Sequence, residues 1–282
     1  MSGAFLERLQ SSVSWLTKRV GHDSAAVRMF RPPYETFLEA ASGGRGIPWE
    51  INGESFRIDP RHRHRMGHEY EPEVAAAICE RLSPGMTFVD VGANVGVYAL
   101  QMARVVGPRG RVVAFEPNPA ALQCLTRHVR LNGFEDRVTI VPLAVGIRAG
   151  TATLFTNVAD GMSRLDEPNP FLRSTQSVST RVESLDNYFD TEGQDPDVLL
   201  IDVEGYEIDV LAGARRLIER SRRKLSIFVE MHPAAWDWGT SGTDARGLLA
   251  ELGLRPVPLT GQSDPLEEYG SVELVASPGS HA

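Results

Sequence analysis

The 282-residue sequence predicts an α/β fold with a mostly parallel, Rossmann-like sheet of seven strands, preceded by an N-terminal helix and hairpin extension. Three observations predict it. From Thr87 onward, strand-length apolar runs alternate with helix-length segments, which is the pattern of repeated βα units. The run 87–96, TFVDVGANVG, carries an apolar strand into a glycine turn, and a helix follows at 95–106. A second strand, 111–115, then ends in Glu116. A strand, a glycine turn, a helix and an acid-capped second strand form an adenosine-binding half-site, in which the acid accepts hydrogen bonds from a ribose diol.

Each element has a local reason. Phe5, Leu6, Leu9, Val13, Leu16 and Val20 fall at helical spacing, so 5–20 reads as an amphipathic helix. It suits docking on the main domain or a second subunit, and Trp15, Lys18 and Arg19 also allow peripheral membrane contact. The stretch 47–58 is a hairpin turning at Asn52-Gly53. A helix at 71–82 is stopped by 83–85, Ser-Pro-Gly. This places an extension at 1–70 and the main domain at 71–282. Within that domain, strands are expected at 87–91, 111–115, 138–141, 198–202 and 225–230. Helices are expected at 95–106, 118–131, 206–219 and 243–252. Short extra strands fit 151–156 and 178–182. Two last strands, 256–259 and 272–276, suit an antiparallel edge pair because a loop separates them. The polar, aperiodic stretch 157–176 reads as a long loop, either a candidate acceptor-binding loop reaching over the strand ends or simple disorder.

Bulk properties exclude several classes. A net charge of −8 argues against a nucleic-acid partner. No apolar run approaches the roughly 18 residues a membrane span needs. Cys79 and Cys124 both fall in helix-forming segments, which suits a reducing compartment. With no secretory signal in view, a cytoplasmic location is expected.

The turn after the first strand is not a dinucleotide fingerprint, because Asn94 and Val97 stand where glycines would be needed. That disfavours an NAD-linked oxidoreductase, one alternative reading; a non-catalytic nucleoside-binding protein is the other. Asp90 can attract an ammonium, or cap the following helix. The fourth core strand delivers Asp202 and Glu204 to its C-terminal end, where open α/β sheets bind ligands. Two carboxylates there are costly unless they meet the ammonium of a sulfonium cofactor, a divalent metal or a proton to be removed. Glu204 can also serve the next helix's N-terminus. Glu230 and His232 lie two apart and so point the same way from an extended chain. A histidine beside an acid at the mouth of a sheet is a candidate general base near neutrality. No metal is expected; were one bound, the oxygens of Asp202, Glu204 and Glu230 would suit Mg²⁺. The cluster Arg61, His62, Arg63, His64, Arg65 and His68 reads as solvated loop or as a site for an anionic acceptor.

The motifs VDVGANVGVYAL (89–100), FEPNP (115–119), LNGF (131–134), IDVEGYEIDVLAGA (201–214) and VEMHP (229–233) together resemble the FkbM family of S-adenosylmethionine-dependent methyltransferases, over roughly 70–232. The resemblance implies a class I methyltransferase fold and O-methylation of a sugar, glycan or natural-product hydroxyl. By position it puts Asp90, Gly92, Asn94 and Gly96 around the cofactor's methionine end. It puts Glu116 and Asn118 at the ribose and 143–145, with Ala144 central, beside the adenine. The residues agree on the acceptor type. DVEG stands where amino-methylating nucleic-acid enzymes carry an NPPY- or DPPY-like run, and neither cysteine follows a proline.

Overall fold

The computed structural model describes residues 24–156, 163–165, 176–236 and 244–277. The amphipathic stretch 5–20 and most of the expected loop 157–176 lie outside the described residues. The first described helix, α1 (Ala25–Ser42), is capped by Ser24, whose side chain accepts from the Val27 N–H. The hairpin β1 (Ile47–Ile51) and β2 (Glu54–Ile58) turns at Asn52 and Gly53, both at positive φ as a two-residue turn requires. A 3₁₀ turn over Pro60–Arg65 and helix α2 (Pro72–Arg81) lead into the main sheet.

The main sheet uses β3 (Thr87–Val91), β4 (Arg111–Phe115), β5 (Val138–Val141), β10 (Val198–Ile201), β11 (Ser226–Met231), β12 (Leu254–Pro258) and β13 (Gly270–Ala276), in the order β12-β13-β11-β10-β3-β4-β5. Neighbours from β11 to β5 pair in parallel, and β13 runs antiparallel to both β11 and β12, the expected edge pair. A second sheet, order β6-β9-β7-β8, contains β6 (Ala144–Val145), β7 (Gly150–Thr156), β8 (Ser163–Leu165) and β9 (Gln176–Glu183). The expected single loop at 157–176 is therefore corrected: 163–165 is a strand paired with β7.

Every residue of β3 and β10 is buried, which is why their sequences run apolar without alternation. Helices α3 (Val97–Val106), α4 (Pro119–Asn132) and α5 (Leu185–Glu192) follow β3, β4 and β9 in turn. The expected helix 206–219 is two, α6 (Glu207–Ala212) and α7 (Arg215–Ser221). The break sits at Gly213, where an added Cβ would lie 2.1 Å from the Gly146 carbonyl oxygen. A one-turn helix, α8 (Pro233–Trp236), and α9 (Ala245–Leu252) complete the chain. One face of the sheet shares its core with the N-terminal elements: Leu38, Ile47, Phe56 and Met66 pack with Leu100 and Val129. Among the described residues, no helix is long and apolar enough to cross a membrane.

Candidate active site

The chain goes from β3 outward to β4 and β5, then returns to place β10 on β3's other side. Ligands bind at such a switch point, outside the carboxyl ends of the strands. A cleft of about 640 Å³ opens there. Its floor is Val91, Gly92 and Asn94; Phe115, Glu116 and Pro117 form one wall, and Asp202, Val203 and Glu204 the other. Leu143, Ala144 and Val145 give an apolar end, and Leu154, Ser163 and Leu165 of the second sheet cover it.

Glu116 is the organising group of one wall. It is buried, and its carboxylate accepts from two backbone N–H groups, Asn94 to Oε2 and Asn118 to Oε1, both at 2.7 Å. Burial pushes its carboxyl up to about 7, against the pull of those N–H groups and of Arg65. Each oxygen keeps a further acceptor position. Asp90 lies one strand away, buried, with Oδ2 lacking any hydrogen-bond partner in the chain. Burial and the Glu116 charge raise it to about 7 as well, opposed by the Ala99 N–H. An orphaned buried carboxylate oxygen is costly, and a cationic group or water would satisfy it.

Three expected cofactor residues act differently from expectation. Gly92 lines the cleft, but its φ of +94° and missing Cβ serve the joint between strands: a Cβ would meet the Asp202 carbonyl oxygen at 1.7 Å. Gly96 does not line the cleft; its open space admits Leu125 of α4. Asn118 uses its side chain elsewhere: Oδ1 accepts from the Ala120 N–H, capping α4, and Nδ2 donates to Ser163 at 3.0 Å. It serves the cleft through its backbone N–H on Glu116. Ser163 is also part of β8, which crosses the cleft as a strap. The strap's other end is held by Tyr206, whose hydroxyl donates to the Leu165 carbonyl.

The strap therefore covers the apolar end of the cleft beside Leu143 and Ala144. Leu165→Ala is expected to weaken S-adenosylhomocysteine binding by on the order of 1 kcal/mol through lost apolar cover. Calorimetry checks this, and an unchanged affinity would confine the strap to the acceptor.

The opposite wall leads to a cluster of acids around His232. Glu204 has φ +53°, a strained position for a residue with a side chain, and its Oε2 lies 3.6 Å from His232 Nε2. Glu230 Oε2 lies 3.8 Å from the same nitrogen, so Glu230 and His232 do share a side, as the spacing predicts. Asp202, Glu230 and His232 offer ligand atoms within 4.8 Å of one another. Asp202 is held well above the carboxylate range by burial, by the Glu230 charge and by a hydrogen bond between the two carboxyls, which implies a shared proton.

Two residues of this cluster are not among the expected site residues, although Glu207 lies within the 201–214 motif. Glu207, fully buried, accepts from His232 Nδ1 at 2.8 Å, from the Gly205 N–H at 2.7 Å and from Trp236 Nε1 at 2.8 Å. Tyr269, 65% exposed, sets its ring 5.2 Å from that of His232 and donates its hydroxyl to Glu230. These acids change what His232 is. Burial alone would lower its pKa, but the Glu207 hydrogen bond and the charges of Glu207, Glu204 and Glu230 outweigh burial and raise it to about 9. The acids around His232 thus favour its protonated form, relative to a histidine base near neutrality.

In the basic cluster at 61–68, Arg61 pairs with Asp59, and Arg63 and His64 approach Glu35, while Arg61, His64 and His68 stay exposed. Arg65 instead donates to the Asn94 side chain, at the cleft floor.

Comparison with known proteins places the chain among methyltransferases. Residues 90–256 match the family model described as the methyltransferase FkbM domain. The chain is 27% identical over 190 residues to the hexuronic acid methyltransferase AglP of Haloferax volcanii, a match covering 65% of this chain and 70% of that protein. It is 25% identical over 154 residues to the 2-O-methyltransferase NoeI of Sinorhizobium fredii, covering 49% and 61%. Among solved structures it is similar to the FkbM methyltransferase from Methylobacillus flagellatus, at 19% identity and a TM-score of 0.45, covering 71% of this chain. The chain spans about half the length of that solved protein, 50%.

Proposed function

We infer the function from one premise: this chain belongs to the FkbM methyltransferase family, whose domain it matches over 90–256. The reaction is S-adenosylmethionine-dependent transfer of a methyl group to a hydroxyl, with a sugar or glycan as acceptor class. The observation that carries it is a single cleft with Glu116 on one wall and Asp202 and Glu204 on the other, the latter leading to His232.

The residues fit the cofactor. Asp90, with its orphaned Oδ2, suits an ammonium; Glu116 suits a ribose diol; Leu143, Ala144 and Leu165 suit an adenine ring. Bound there, S-adenosylmethionine supplies an electrophilic methyl group. What the chain adds is position and proton handling. Alignment of the acceptor oxygen is worth several kcal/mol of a transfer barrier. The hydroxyl must lose one proton as it is methylated, and His232, in its neutral form, accepts it through Nε2. Glu207, Glu204 and Glu230 then hold the resulting imidazolium by charge.

Two features of the mouth support a sugar acceptor and restrict it. The exposed Tyr269 ring offers a flat apolar face suited to a pyranose. The acids around it accept hydrogen bonds from hydroxyls but repel carboxylates. AglP is named for a hexuronic acid and NoeI only for a 2-O position, which leaves the acceptor open; the acidic rim favours an uncharged ring over a hexuronate. A neutral pyranoside is expected to outcompete the matched uronate by at least about tenfold, since like-charge placement costs more than about 1.4 kcal/mol. Transfer of labelled methyl to the two acceptors in competition measures this. Preferential labelling of the uronate would contradict it, and transfer only to nitrogen would remove the O-methyltransferase reading.

A further inference from the structure

We propose that Glu207 is the positioning residue of a Glu207–His232 dyad, fixing the imidazole with a proton on Nδ1 and presenting Nε2 to the acceptor. This rests on His232 as the proton acceptor proposed above.

Glu207 is fully buried at the start of α6. A buried carboxylate persists only where donors meet it, and here both oxygens are met. His232 Nδ1 and the Gly205 N–H reach Oε1, and Trp236 Nε1 reaches Oε2. Gly205 and Trp236 fix the carboxylate from two directions, so it cannot turn away from the imidazole. The backbone donor depends on Gly205, whose φ of +104° is one that a side-chain-bearing residue rarely adopts. His232 has one ring orientation that keeps this bond, and it leaves Nε2 facing Glu204 at 3.6 Å and Glu230 at 3.8 Å.

The charged and titratable groups around the imidazole come from several elements. Glu204 comes from the turn after β10, Glu207 from the start of α6, Asp202 from just past the end of β10 and Glu230 from β11. Tyr269 comes from the β12–β13 connection, and the charge of Glu71, ahead of α2, also reaches His232. Of these, Glu207 is the one that bonds Nδ1. Because Glu207 retains the Nδ1 proton, Nε2 is the atom that exchanges one. As the acceptor O–H bond breaks, the proton passes to Nε2, and the imidazolium later returns it to solvent. An orienting carboxylate behind a histidine base fixes tautomer and ring direction in the same way at Ser-His-Asp sites.

Nitrogen-15 NMR of the histidine-labelled full chain tests the proposal without any acceptor. In the wild type the neutral His232 ring should carry the proton on Nδ1. In Glu207→Gln, whose amide oxygen still accepts from Nδ1, the tautomer should persist. In Glu207→Leu the neutral ring should shift its proton to Nε2. A wild-type neutral ring protonated on Nε2 would overturn the proposal, as would a ring that keeps its proton on Nδ1 in Glu207→Leu. If neither variant folds, the wild-type tautomer alone decides. Failure of the methyltransferase reading would show separately, as absent S-adenosylhomocysteine binding by the wild type.

Discussion

Replacing His232 with alanine is expected to lower turnover by ~10²–10⁴-fold, the usual contribution of a positioned general base, while S-adenosylhomocysteine affinity holds. The pH dependence sharpens the test. The active form is the neutral imidazole, and the surrounding acids keep the ring protonated up to about 9. The kcat/KM of the wild type, which reports the free enzyme, should therefore climb about tenfold per pH unit below 9 and level off above it. Levelling near 6.5 would mean that the acid cluster does not act on His232. A metal held by Asp202, Glu230 and His232 is the competing account of the proton's departure. In that case chelation should abolish turnover, Mg²⁺ should restore it, and His232→Ala should hurt less.

Glu116→Ala is the second large effect. Each charge-assisted hydrogen bond to a ribose hydroxyl is worth about 1.5–3 kcal/mol, so affinity for S-adenosylhomocysteine should fall at least tenfold. The Asn94 and Asn118 N–H groups would also lose their acceptor, loosening the floor of the cleft. In the wild type, Glu116 and Asp90 both titrate near 7. Their charged forms suit the ligand's donors, so binding should weaken as pH falls below about 7. Isothermal titration across pH checks both effects. NADH should show no measurable binding.

How much of this was legible depends on how local each signal is. The half-site was, because a buried strand, a turn at Gly92 and an acid at Glu116 occupy one short stretch of chain. The antiparallel edge pair was legible for the same reason, since 259–269 is too short and too polar to hold a crossover helix. Glu207 was not. In sequence it is an acid near the start of a helix, and only folding buries it against His232 and Trp236. Tyr269 reaches the site from the far end of the chain, with nothing in its neighbours to mark it. Gly92 lines the cleft as expected, but the sequence does not show that its missing Cβ also makes room for the Asp202 backbone. Helix α1 was not among the expected elements, and it runs through Pro32 and Pro33.

A crystal structure of the protein with S-adenosylhomocysteine tests the central claim most directly. The ribose hydroxyls should lie within hydrogen-bonding distance of Glu116, the amino group should be near Asp90, and the sulfur should face the Asp202–Glu204 wall. A nucleoside bound away from Glu116, or with its sulfur turned from Asp202 and His232, would contradict the account.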